Sequence, residues 1–328
     1  MFIKSKAYKI YWIFAAKRQD MFFSQVHGKK LELTNDPILS KYKFTNAYRA
    51  ADRVSQYLIK KVIYTKNASS EDKEVFFRIL LFKMFNKIET WESLEKNIGI
   101  PSYKDFDVKK YDQLLTESLN HKIKIFSAAY IMPSGIIIPG FKRKHRNCLE
   151  VLNLMMKEDV PDKVSQMNRM CDVFELLKTY PMIGDFLAYQ YAIDINYSLI
   201  TNFSENDFVK AGPGAKRGIA KCVTHKKKYS DTDIIKYMVD EQDNEFKKLD
   251  LDFKTLWGRP LHLIDCQNLF CEVDKYLRVF DPELKLNGAS KRIKQKYVPN
   301  MKKIDYWFPL KWKINKNMKT VLDESIKT

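Results

Sequence analysis

Only ten glycines and eleven prolines punctuate the 328 residues of this chain, and that scarcity limits the fold more than any single motif does. A β-sandwich or barrel turns every few residues, and its turns draw on Gly and Pro, so the expected fold is mainly α. Apolar residues at 45% and aromatics at 13% provide side chains for a real core in one large domain or two. The surplus of basic residues is therefore carried by a folded body and not by a disordered tail.

That surplus amounts to +18 and is unevenly placed. Residues 1–30 hold seven basic residues and one acidic, 210–228 hold seven and none, and 285–316 hold ten and one. One-sign segments inside a folded chain are the footprint expected for a polyanion. The last segment also interleaves Tyr297, Tyr306, Trp307, Phe308 and Trp312 with its lysines. Two readings of those aromatics stay open: surfaces on which bases stack, or a C-terminal hairpin packed on the body.

The five cysteines are scattered, with no C-x-x-C pair and no neighbouring His at ligand spacing, so neither a disulfide framework nor a metal site is expected. The basic start and the apolar stretch from Ile10 to Ala16 superficially resemble a secretion signal. Tyr11 and Trp12 interrupt the stretch, however, and charge resumes at Lys17. No run approaches the roughly 18 apolar residues of a membrane span. The expectation is a cytoplasmic protein that makes no membrane contact.

Apolar spacing predicts helices over 45–64, with Thr45 as N-cap, over 70–86, with Val75, Ile79, Phe82 and Phe85 on one face, and over about 109–132. The string SGIIIPGF at 134–141 reads as a loop or short strand, and a long helix is expected from Pro161 to Lys178. Residues 177–195, LKTYPMIGDFLAYQYAIDI, then give helix, tight P-x-I-G turn and helix. This is the layout of a helix-hairpin-helix element (165–195 in full), in which backbone amides near Ile183 and Gly184 would face a DNA phosphate. The string AGPGAKRG reads as a Gly-Pro-Gly turn at Gly214 with Lys216 and Arg217 beside it, either an anion nest or an ordinary glycine turn. A surface helix is expected over 230–249, with Ser230 and Asp233 around its start.

The densest polar cluster is WGRPLHLIDCQNLFCEVDKYLRV at 257–279. Asp265 is expected as N-cap of a helix from Cys266 to Phe280, with Asn268, Glu272 and Lys275 or Tyr276 recurring at helical spacing along one stripe, and Gln267 and Lys275 are further candidates for a base or substrate pocket. This stripe is either a cleft wall or a cap with a surface pair. Tyr48, Arg49, Asp52 and Gln56 fall on adjoining turns of the 45–64 segment and are candidates for a base or substrate pocket.

Five ordered blocks, YRAADRVSQYLI, FFRILLFKMFNKIETWESL, YPMIGDFLAYQYAIDINYS, AGPGAKRGI and LIDCQNLFCEVDKY, together resemble the family of α-glutamyl/putrescinyl-thymine pyrophosphorylases. That family is related to the helical domain attached to some phage hydroxymethyluracil DNA kinases. The resemblance spans roughly residues 40–300. It implies a helix-hairpin-helix DNA glycosylase-like fold with added N- and C-terminal elements: a basic extension at 1–44, a catalytic domain at 45–283 and a basic aromatic segment at 284–328. The sequence holds no G-x-x-x-x-G-K-[ST] string, so the chain resembles a stand-alone form.

In glycosylases of that fold an Asp beginning a helix downstream of the hairpin serves catalysis, and Asp265 looks like that residue if 199–258 is an insertion. Otherwise Asp207 or Asp194 is the candidate, with Glu272 as a further acid. The expectation is thus a DNA glycosylase, a hydrolase that flips and excises a hypermodified nucleobase, in bacteriophage biology or antiviral defence. The alternative is a phage transferase that displaces pyrophosphate from an activated 5-hydroxymethyluracil, and a third reading is a DNA-binding module without chemistry. The expected partner is double-stranded DNA with modified bases, bound by a monomer without cofactor or metal.

Overall fold

The computed structural model describes residues 2–28, 33–128, 143–226, 228–284, 292–298 and 304–319. In chain order it runs β1 (Ile3–Lys4), α1 (Lys6–Val26), α2 (Pro37–Lys41), α3 (Arg53–Tyr57), α4 (Asp72–Phe85), α5 (Ile88–Ile98), α6 (Val108–Asn120) and α7 (Lys144–Lys157). It continues with α8 (Val160–Ser165), α9 (Met170–Lys178), α10 (Asp185–Ile195), α11 (Pro213–Cys222), β2 (Val223–Thr224), α12 (Asp231–Asp240), α13 (Gln242–Lys248) and α14 (Leu263–Phe280). The fold is mainly helical, as the scarcity of turn residues requires. Its described sheet is one antiparallel pair, Ile3 opposite Thr224 and Lys4 opposite Val223.

The chain forms two compact units, and their boundaries differ from 1–44, 45–283 and 284–328. One unit gathers Met1–Asp52, Phe208–Asp305 and Lys313–Thr328; the other gathers Arg53–Asp207 and Tyr306–Trp312.

In the first unit, α14 is the element that α1, α2, α11 and α12 all touch. The basic N-terminus is not an appendage, because α1 buries Tyr11, Trp12, Phe14 and Phe22 and its Tyr11 hydroxyl donates to the Cys266 carbonyl at 3.1 Å. Two glycines decide how close α11 comes to α14. A Cβ on Gly218 would lie 2.0 Å from the Phe270 carbonyl oxygen, and one on Gly214 would lie 3.0 Å from the Cys271 sulfur. The string read as a Gly-Pro-Gly turn is in fact a helix start, with Gly212 as N-cap and Pro213 in the first turn, where its missing N–H costs nothing. Reciprocal hydrogen bonds join Gln242 to Leu261, from Nε2 to the carbonyl at 3.0 Å and from the amide to Oε1 at 2.8 Å. They fix the chain as it enters α14.

In the second unit, α4 is buried from Glu74 to Phe85 on every side, which explains why its sequence is apolar nearly throughout. Its buried Arg78 donates through Nε to the Val62 carbonyl at 3.1 Å and through Nη2 to the Ser69 carbonyl at 2.7 Å. Asn86, in the left-handed conformation with φ 49°, ends the helix. The expected long helix over 161–178 is two, α8 and α9, interrupted at 166–169; Pro161 does lie in the first turn of α8. In the first unit, the expected 230–249 helix likewise breaks at Glu241 into α12 and α13, and its start is the reciprocal cap of Ser230 and Asp233. The 109–132 helix ends at Asn120, and SGIIIPGF lies outside the described residues.

The aromatic string 306–312 packs within this second unit, with Trp307 and Trp312 half-buried. Tyr306 and Phe308 are buried, the Trp307 amide donates to the Gln56 carbonyl oxygen at 2.7 Å, and the Trp312 indole donates to Glu205 at 2.7 Å. Lys311 reaches the Asn196 side chain at 3.3 Å and also the Thr201 carbonyl, and burial pulls its pKa down to about 8. Tyr297 belongs to the other unit, where it pairs with Lys41 through its amide at 3.0 Å.

The close approach at Gly218 generates a test. Gly218→Ala places a methyl carbon against backbone that cannot rotate away, so its cost should reach or exceed the about 1–3 kcal/mol usual for overpacking. Gly184→Ser has open space around the new Cβ and introduces a preferred N-cap residue. Thermal melts should show a large drop in Tm for the first variant and none for the second; equal melts would refute the steric argument.

Candidate functional site

α14 presents its polar residues in two directions, as its 3.6-residue repeat requires. One direction carries Asp265 and Glu272 toward the loop Thr45–Asp52. Toward α11 it carries Asp274, Arg278 and Gln267.

The loop was expected to be the first turns of a long helix with Thr45 as N-cap. It is instead a coil with a single 3₁₀ turn, Arg49–Ala51, broken at Asp52 before α3 begins and passes into a π-helical stretch, Leu58–Ile63. Side chains of α14 and α1 dictate that shape. Asp265 is not the N-cap of α14, a place taken by His262; it lies three residues further on, 3% exposed. One of its oxygens accepts the His262 amide at 3.1 Å, and the other accepts the Arg49 amide at 2.9 Å. Glu272 accepts the Thr45 amide at 2.9 Å and the Lys275 ammonium at 2.7 Å. From α1, the buried Arg18 donates to the Thr45 carbonyl at 2.9 Å and to the Asn46 side chain at 3.0 Å. The Tyr48 hydroxyl is fixed between the Arg259 carbonyl at 2.7 Å and the Leu256 amide at 3.2 Å.

Asp52 closes the loop by accepting the Asn46 amide at 2.8 Å through Oδ1, and Asn46 in turn donates to the Ala51 carbonyl at 2.9 Å. Among the described residues nothing donates to its second oxygen, and the residue is half-buried. Burial pushes the Asp52 carboxyl up to about 7. The Asn46 amide opposes that rise, the Glu272 carboxylate adds to it, and Arg18 and Arg49 pull the other way. Burial also lowers the Arg18 pKa, against the pull of Asp52 and Glu272. A carboxyl that titrates near neutrality with one oxygen open is suited to exchange a proton or a hydrogen bond with a ligand.

The remaining expected site residues go elsewhere. Gln267 points away from Asp265, and its amide nitrogen approaches the Cys271 sulfur at 3.2 Å. Asn268 is half-buried one turn from Glu272. Arg217 is engaged by Asp274 at 3.1 Å, and the same buried carboxylate binds Lys221 at 3.0 Å and Arg278 at 2.7 Å. Arg278 and Lys221 outweigh the effect of burial and hold the Asp274 pKa below its usual value. Lys216 is exposed.

In the other unit, Gln56 is used by Trp307 and Asp194 is wholly buried against Lys83 at 3.3 Å. Asp207 is exposed. In the α9–α10 hairpin Ile183 is buried and Gly184 is the exposed N-cap of α10, with Lys178 and Asp185 paired across the turn at 3.3 Å. The four candidate acids are thus divided between two units, Asp265 and Glu272 in one and Asp194 and Asp207 in the other. Sequence reading missed Arg18, which lies 27 residues from the carbonyl it binds. It also missed the cluster on Asp274, although Arg217 with Lys221 and Asp274 with Arg278 are both i, i+4 pairs.

Among the described residues no three His, Cys, Asp or Glu side chains gather as a metal site, and no helix is long and apolar enough to cross a membrane. The family model for the helical domain of 5-hmdU DNA kinase matches residues 5–286. The chain belongs to that family. A relative, the 5-hmdU DNA kinase of Bacillus phage SP10, is 25% identical over 308 residues, covering 88% of this chain and 47% of its own length. The chain therefore spans about half the length of that curated relative. No solved structure matches.

These comparisons correct the expected chemistry. The family takes its name from a kinase, a transferase, and not from a glycosylase that hydrolyses N-glycosidic bonds, so base excision, its abasic product and the defence role attached to it are withdrawn. Displacement of pyrophosphate by an amine gains no support from them either. The pyrophosphorylase resemblance narrows to its kinase-domain relation.

Two substitutions separate scaffold from site. Asp265→Asn keeps one acceptor oxygen where the structure uses two, so one buried amide loses its partner and stability should fall by about 1–3 kcal/mol in urea unfolding. A variant as stable as wild type would show that the Arg49 amide bond does not hold the loop. Asp52 has the opposite sign. Its folded pKa of about 7 lies above the ordinary 3.8, so the unfolded chain loses this proton first and stability falls as pH rises from about 4 to 7. Asp52→Asn should remove that fall and melt higher than wild type at pH 8; a lower melt at pH 8 would contradict the assignment.

Proposed function

We propose that this chain is the base-handling part of a DNA-modification activity directed at 5-hydroxymethyl-2′-deoxyuridine, and that Asp52 receives the hydroxymethyl hydroxyl. The observation that carries this reading is the half-buried Asp52 carboxyl, ionising at about 7 with one oxygen open, in a chain of the 5-hmdU DNA kinase helical-domain family. Phosphorylation of a hydroxymethyl group joins its oxygen to the transferred phosphorus of a phosphoryl donor as the bond from that phosphorus to the donor's leaving oxygen breaks, and sends the hydroxyl proton to a base; a base poised near neutral pH suits that step. The substituent at C5 of the pyrimidine projects into the major groove, so the hydroxyl is reached without extruding the nucleotide. The rigid Thr45–Asp52 loop would fix the carboxylate, with Arg18 and Arg49 stabilising its charged form. The sequence carries no G-x-x-x-x-G-K-[ST] string, so the reading assigns this chain the presentation of the hydroxyl and leaves the phosphoryl donor site unassigned.

The test compares two duplexes that differ only in thymine or 5-hydroxymethyluracil, by fluorescence anisotropy at pH 6 and pH 8. Wild type should prefer the hydroxymethyl duplex, and more so at pH 8, where Asp52 is an acceptor. Asp52→Asn should reduce the preference about tenfold, as expected for a hydrogen bond to a charged group, and abolish its pH dependence. Equal binding of both duplexes by wild type at both pH values would overturn the reading.

A further inference from the structure

Two segments far apart in sequence pair just before the site loop. The Lys43 amide donates to the Gln295 carbonyl at 3.1 Å and the Tyr297 amide to the Lys41 carbonyl at 3.0 Å, with Tyr42 opposite Lys296. Strand alternation about the Tyr42–Lys296 bridge places Lys43 on one face and Lys296 on the other, while Lys41 ends α2 with its ammonium 5.6 Å from the centre of the Tyr42 ring. All four lysines are exposed, and none is ion-paired among the described residues. Asp36, the acid nearest in sequence to Lys41 and Lys43, is already occupied by Lys17 at 2.8 Å. Two residues beyond Lys43 the chain enters the Thr45–Asp52 loop.

We propose that this lysine ribbon is a docking track for the phosphate backbone of duplex DNA that leads the duplex to the Asp52 loop. The proposal rests on the reading that the chain engages DNA. Cations on both faces suit a ribbon that meets the phosphates of both strands along one groove, whereas a single strand would leave one face without a partner. Lysines provide charge without the fork that reads bases. The track therefore sets affinity and register but not the choice of base.

The experiment measures duplex binding against salt for wild type, for K41Q/K43Q/K294Q/K296Q, and for K109Q/K110Q/K122Q/K157Q, which removes four exposed lysines elsewhere. The ribbon variant should lower the slope of log K against log salt by about 3.6, since each of four phosphate contacts contributes about 0.9. It should weaken binding to any sequence and keep the ratio of hydroxymethyluracil to thymine affinity. The control variant should change the slope by less than one. An unchanged slope in the ribbon variant, equal slopes in both variants, or stronger wild-type binding to single strands than to duplex would each overturn the track while leaving the base-handling reading intact. A wild-type chain that binds no DNA at low salt would overturn both. Circular-dichroism melts of the two variants confirm that the exposed substitutions leave the fold in place.

Discussion

The contact between Gly218 and the Phe270 carbonyl sets the position of α14, and the Thr45–Asp52 loop depends on that position. Any side chain at 218 would push α11 outward, since a Cβ there would be 2.0 Å from backbone oxygen. With α11 held this close, Arg217 and Lys221 reach the buried Asp274 together with Arg278 from α14 itself. A buried carboxylate with three cations is a poor source of net stability but a strict constraint on register, because displacing any one member leaves charge unpaired in the interior. The interface thus fixes α14 both along and about its axis.

That fixation reappears on the other side of α14 as loop geometry. The loop has no regular structure beyond one 3₁₀ turn, so its backbone amides need partners from outside. Asp265 supplies one and Glu272 another, while Arg18 takes two acceptors. Carboxylates that look catalytic in sequence are here spent on holding backbone. The carboxylate left with an open oxygen is the one the loop itself carries. Asp52 is disfavoured as an anion by burial and by Glu272 and is tolerated through Arg18 and Arg49, a balance that leaves it close to neutral.

How much of this was legible in the sequence depended on the range of the interaction involved. Local signals held: the helices α4 and α10, the Pro161 start and the Ser230–Asp233 cap all rest on neighbours within four residues. Breaks inside helices were missed at 166–169 and at Glu241 because apolar periodicity continues across them. The 45–64 segment carries a helical pattern, yet amides at Thr45 and Arg49 are claimed by residues more than 200 positions away. The stripe of Asp265 and Glu272 was visible as a polar face of α14, but its purpose was not, since the partners are backbone groups without side-chain identity. Gly214 reads as part of a turn and Gly218 carries no signal of its own, because a glycine pair at i, i+4 signals close helix packing only when the second helix is known.

Charge shows the same difference between counting and placing. The segment 210–228 carries seven basic residues and no acid, yet two of them, Arg217 and Lys221, are consumed by Asp274. In 285–316 the aromatic half folds away with Lys311, whose pKa falls to about 8 on burial, which is the mark of a cation held for structure. Lys294 and Lys296 remain exposed, and they acquire Lys41 and Lys43 as neighbours only through strand pairing. A polyanion senses the field of cations gathered in space and screened within about 10 Å at ordinary salt. On the proposed docking track, lysines from two distant segments are brought together by backbone pairing, while part of a denser basic run of sequence is neutralised internally.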